Sequence, residues 1–272
     1  MESIVDLPNW LFYAAIGACF GVAGGIVGWL LDRGGRKWAR WIPVVTIALS
    51  APVTREFVEP RLLNARVVRE VEKMQWVSTL KTEMPDEYAR VIGEFVAIAQ
   101  SATTGEEEER RSGELTRRFF EHHRPNLPRA PDDLLARYLE SYIALMKTVR
   151  LADGLNVCAQ FAVNGQAAIQ GKRIAYLNAF DDLARQVVVA SAASIRAPRP
   201  VEAATADDWA AVASVYLESG GSAEGFSLLE NQDASSPALC DVSIDFLQAV
   251  VDTAGPSGLR VRTEMTKVLV GS

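Results

Sequence analysis

His122 and His123 are the only histidines in the chain, and they precede the proline-rich stretch Arg124-Pro-Asn-Leu-Pro-Arg-Ala-Pro131. An imidazole can act as general acid, general base or metal ligand near neutral pH. Neighbouring residues on a helix point about 100° apart, so two adjacent histidines need further ligands from elsewhere to hold an ion. A histidine at a helix C-terminus also suits the macrodipole, and that structural role is the expected one. Hydrolytic chemistry would require a carboxylate folded against one of the rings, with Glu121 and Asp181 as candidates. The acidic doublets Asp181-Asp182 and Asp207-Asp208 offer less, because adjacent helical carboxylates diverge. The second doublet follows Thr205 at capping-box spacing and reads as helix-start electrostatics.

The chain has three cysteines. Cys19 falls inside a long apolar run and reads as a small apolar residue. Cys158 and Cys240 lie in segments patterned for burial. An even pair suits one disulfide in an oxidising compartment; the alternative is two buried free thiols. No GxxxxGK[ST], HExxH, CxxC or GxSxG pattern is present. No catalytic, cofactor-binding or metal-binding residue is therefore assigned, and no cofactor is expected.

Charge is distributed unevenly. Residues 1–54 carry four basic and three acidic side chains, residues 55–150 carry 16 and 17, and residues 151–272 carry 8 and 14. With no basic soluble region, the phosphate-neutralising footprint of a nucleic-acid binder is absent. The acidic final part also argues against lying flat on anionic lipid.

The element that would position everything else is the run Trp10 to Leu31, 22 residues without a charge, closed by Asp32 and Arg33. As a helix it reaches roughly 33 Å, enough for a hydrocarbon core of about 30 Å. The flank before it carries Glu2 and Asp6 and no basic residue, so a retained anchor is expected instead of a cleaved signal. Gly17, Gly21 and Gly25 are spaced four apart, as are Gly24 and Gly28. Such a strip lets another helix approach closely, either the next apolar segment, a membrane-protein partner or a second copy. Loop 32–40 has four basic residues and is expected on the cytoplasmic side. The segment Trp41 to Thr54 is short for a span, and Pro43 and Pro52 interrupt it. Counted from Trp38, with Arg40 snorkelling, it reaches the lower limit for crossing. If it crosses, the anchor is a hairpin and the remaining chain lies outside the cytoplasm.

After the anchor the pattern is helical throughout. Arg61 to Glu83 reads as one amphipathic helix, followed by a second from Pro85. Thr104 with Glu107 opens a third, charged one. Further helices are expected after Pro131, over Ile174 to Ile195, from Thr205 and after Ser236-Pro237. Gly154 and Gly165 mark breaks, and Arg196-Ala-Pro-Arg-Pro200 reads as a linker. The tail Leu259 to Val270 alternates weakly and is left between strand and frayed helix.

The expected fold is all-α, an N-terminal transmembrane helix or helical hairpin followed by a helical bundle. Its divisions are an anchor at 1–54, a helical domain at 55–196 and a C-terminal helical subdomain at 197–272. The expected function is a non-enzymatic interaction or scaffold component of the cell envelope, in an inner-membrane type of bilayer, with its body extracytoplasmic. The alternative is a membrane-tethered hydrolase using His122 or His123 with a nearby carboxylate.

Overall fold

A computed structural model describes residues 59–169 and 173–271, and these are helical with no strand among them. Ten α-helices follow in order: α1 (Glu59–Val71), α2 (Gln75–Glu83), α3 (Pro85–Ser101), α4 (Gly105–His123), α5 (Asp132–Asn164), α6 (Leu177–Arg196), α7 (Ala206–Glu218), α8 (Ala223–Asn231), α9 (Ala238–Asp252) and α10 (Gly255–Gly271). A 3-10 turn, Arg124–Arg129, joins α4 to α5, and two more link α5 to α6. The all-α expectation is met. Among the described residues, no helix is long and apolar enough to cross a membrane. The expected anchor lies outside the described residues, including span 10–31, loop 32–40, segment 38–54 and the strip Gly17, Gly21, Gly24, Gly25 and Gly28.

The chain divides into two compact units, one holding residues up to Val71 with Ile92–Ser112, the other Glu72–Val91 with Gly113–Ser272. Helices α3 and α4 contribute to both. In the first unit, Gln100 donates to Asn64 at 2.8 Å, and Arg111 donates to Ser101 at 2.9 Å. The Thr104 hydroxyl accepts from the Glu107 amide at 3.1 Å. The Glu107 carboxylate reaches back to the amide of Thr103 instead of Thr104, at 3.0 Å.

The second unit holds the large core. Helix α5 packs against α6 and α9, α2 against α6, and α10 against α7. Leu135, Leu139, Leu145 and Val149 of α5 are fully buried with Val188 of α6 and Val250 of α9. With the buried Tyr142 between them, their three- and four-residue spacing on α5 gives the helix a continuous inner stripe. Gly154 interrupts α5 with φ 83° and ψ 177°, a conformation that costs a side-chain-bearing residue but not glycine. The helix resumes and stops at Gly165, whose φ is 57°.

Two sequence expectations change here. The single helix over 61–83 is two helices, because Val71 ends α1 and α2 restarts at Gln75. The restart is capped from outside. Asp181 of α6 accepts the backbone amides of Gln75 at 2.8 Å and Trp76 at 3.2 Å. Those amides belong to the first turn and have no intrahelical partner. The tail 259–270 belongs to a full helix, α10, whose buried face is Val261, Arg262, Thr263 and Thr266. Three of these four are polar, which is why hydrophobic periodicity did not report it.

Candidate functional site

The histidine pair lies in the second unit, at the end of α4. The side chains separate as helical geometry requires: His122 is exposed and His123 is 3 % exposed. The buried ring packs on Phe119 with centroids 4.5 Å apart, and Phe119 in turn packs on Trp76 of α2 at 5.3 Å. The Ser191 hydroxyl of α6 donates to the His123 carbonyl at 3.3 Å. Neither ring nitrogen has a hydrogen-bond partner. The closest charge is Glu87 in the first turn of α3, whose Oε2 lies 3.8 Å from Nε2. Arg90 already holds that carboxylate at 2.6 Å and helps keep it below the usual range against the opposing effect of burial.

Burial pushes the His123 imidazole below its ordinary pKa, and the attraction of Glu87 offsets this only in part. The ring is therefore neutral at pH 7. Packed against Phe119 and His122, this neutral ring presents almost no surface to a substrate. The carboxylates named with it are engaged elsewhere. Asp181 caps α2 with both oxygens, and Glu121 is exposed and paired with Arg117. Asp182 accepts from Ser141 at 2.6 Å and pairs with Arg185 at 2.6 Å. The partner that folding brings to His123 is Glu87, 36 residues away in sequence. Its position in a helix-start acidic pair gave no signal beyond capping.

Three arginines stitch the C-terminal helices of this unit together. Arg262 is 4 % exposed and uses all three nitrogens. Its Nε and Nη2 grip both oxygens of Asp132 at 2.7 and 2.8 Å, and Nη1 donates to the carbonyls of Val250, Val251 and Thr253. These carbonyls are the acceptors that the end of α9 leaves open. A Cβ at Gly258 would collide with the Thr253 carbonyl and press on the same guanidinium, so only glycine fits there. Arg260 holds Asp208, which is 2 % exposed, in a two-point contact at 2.8 and 2.7 Å. That pairing keeps the Asp208 carboxyl far below the usual range. Arg199 pins the expected linker, donating to the carbonyls of Ala130 and Pro128 and to the Thr263 hydroxyl.

The expected pairing partners Cys158 and Cys240 sit together in the core, fully buried, with their Cα atoms 5.3 Å apart and a disulfide between them. The bond joins the second arm of α5 to the first turn of α9. An open groove of about 360 Å³ runs between the 3-10 turn and α10, lined by Pro125, Pro128, Arg129, Val201, Lys267 and Val270. Its Lys267 is paired with Glu264 at 2.8 Å. Among the described residues, no cluster of three or more side chains is arranged to hold a metal ion. The charged groups described above are thus hydrogen-bonded into the fold of the second unit. No family model, curated protein or solved structure matches this chain.

Proposed function

We propose that the chain is a membrane-tethered helical interaction module of the cell envelope, with its body on the extracytoplasmic side. The observation that carries the tether is the uncharged run Trp10 to Leu31. The sidedness is supported by the joined Cys158 and Cys240, the only cysteines beyond that run, since such bonds persist in oxidising compartments. Tethering confines the body to a thin layer above the bilayer and raises its effective concentration toward neighbouring membrane proteins. The glycine strip Gly17, Gly21, Gly24, Gly25 and Gly28 supplies a close-packing face for a partner span or a second copy.

The test combines fractionation with thiol labelling. The expected result is that the chain stays with the membrane after a high-salt wash. After denaturation with free thiols blocked, Cys158 and Cys240 should take up maleimide only once reductant is added. Release into the aqueous fraction would overturn the tether, and labelling without reductant would overturn the sidedness. The hydrolase alternative has the 3.8 Å approach of Glu87 to His123 on its side. The enclosure of that ring stands against it, so the interaction reading takes first place.

A further inference from the structure

Helix α7 has two apolar faces, and the core uses only one of them. Val212 and Tyr216 point inward with Asp208. On the other side, Trp209, Ala213 and Leu217 recur four apart, with Ala206 and Ala210 beside them. At about 100° per residue these five positions fill a single arc of the helix. Trp209 is 36 % and Leu217 47 % exposed, and both alanines beside them are exposed. The next arc is acidic, formed by Asp207 and Glu218 with Ser214 between them. From Pro200 to Leu259 there is no Lys or Arg among ten Asp or Glu. Arg260 pairs with Glu202 and Asp208, and Arg150 with Asp241, while Asp207 and Glu218 beside this face are exposed.

We infer that the outer face of α7 is a docking surface for a cationic amphipathic helix of a partner protein. The inference rests on the interaction-module reading above and names the chemistry of the partner. Trp209 and Leu217 supply bulky anchors at the two ends of the face, and aromatic anchors dominate helix-scale contacts. The alanines between them let a second backbone approach closely. The acidic flank steers a basic partner and repels an acidic one. A second copy of this chain is disfavoured, because a two-fold contact through this face would set Asp207 and Glu218 against their own counterparts. Anionic lipid is disfavoured for the same reason of charge.

The experiment uses the full chain in detergent and a fluorescent synthetic helix with leucines on one face and lysines on the other. Two controls are a scrambled peptide of equal composition and a peptide with glutamates in place of the lysines. The expected result is anisotropy-detected binding of the leucine–lysine helix alone, weakened by added salt. The double variant W209A/L217A should weaken it by about tenfold or more. Trp209 is about two-thirds buried, so some fall in the variant's melting temperature is expected, and its circular dichroism should match the parent's at the assay temperature. The variant D207K/E218K should reverse the preference toward the glutamate peptide. Equal binding of the scrambled peptide, or no effect of W209A/L217A, would overturn the proposal. So would sedimentation showing that the face instead joins two copies. Failure of the tether leaves this measurement intact, since it is made in detergent and does not depend on sidedness.

Discussion

A neutral imidazole held among aromatic rings with both nitrogens unpartnered makes His123 the acid-sensitive point of the second unit. Its folded pKa lies below the ordinary 6.5, so between those two values the unfolded chain binds more protons than the folded one. Stability from this residue is complete above about pH 6.5 and is lost as pH falls toward the folded value. The groups facing the ring are Glu87 and Arg90 from α3 and His122 from its own helix. Glu87 acts in a lower window, because its depressed carboxyl contributes stability that disappears only as pH falls below the carboxylate range. The expected outcome is that His123→Phe flattens the pH dependence of the melting temperature between about pH 7 and about pH 5. Parallel profiles for the two proteins would remove His123 from this role. The sequence disclosed that these histidines end a helix. It gave no access to which ring turns inward, because that depends on where Phe119, Trp76 and Ser191 meet.

Helix boundaries show where local pattern was sufficient and where it was not. The start of α7 was readable from Thr205 and Asp208 alone, and both arms of that capping box are present. Gly154 and Gly165 were readable as breaks because their backbone conformations suit glycine. The gap between α1 and α2 was hidden, since apolar spacing runs unbroken from Leu63 to Leu80. What caps the restart is Asp181, more than a hundred residues away, satisfying the amides of Gln75 and Trp76. Removing that cap with Asp181→Ala should cost about 1 kcal/mol, in line with other lost N-caps. Hydrogen exchange should quicken at the amides of residues 75 and 76 before it quickens elsewhere in α2. If those amides keep their protection, the cap does not hold the break. Helix α10 was obscured for another reason. Its inner face presents Arg262 and Thr263 to hydrogen-bonding partners and buries the polar Thr266 beside them, so no hydrophobic stripe marks it.

At the scale of the whole chain, helical class was legible because nearly every segment carries a 3.6-residue stripe. The two-unit division was not, since it cuts through α3 and α4 instead of falling at a proline-rich linker. The covalent crosslink between Cys158 and Cys240 spans 82 residues. In a chain-entropy account, closing a loop of that size stabilises the fold by about 4 kcal/mol. The double replacement C158S/C240S should therefore lower the melting temperature by many degrees, and reductant should do the same to the parent after partial unfolding exposes the bond. Equal melting of parent and variant would show that the bond contributes nothing to stability.

Arg262 imposes a further condition, this time on biogenesis. The first turn of α5 and the open end of α9 are both completed by a side chain 130 residues downstream of Asp132. A nascent polypeptide emerging at ribosomal speed leaves Asp132 waiting roughly ten seconds for its guanidinium. The carbonyls of Val250, Val251 and Thr253 emerge near the end of that interval and have only water to bind for about a second, until the same side chain follows. The second unit thus closes late: its stitch forms only once position 262 has been made, and any product released before that position leaves the bundle unlatched and open to proteases.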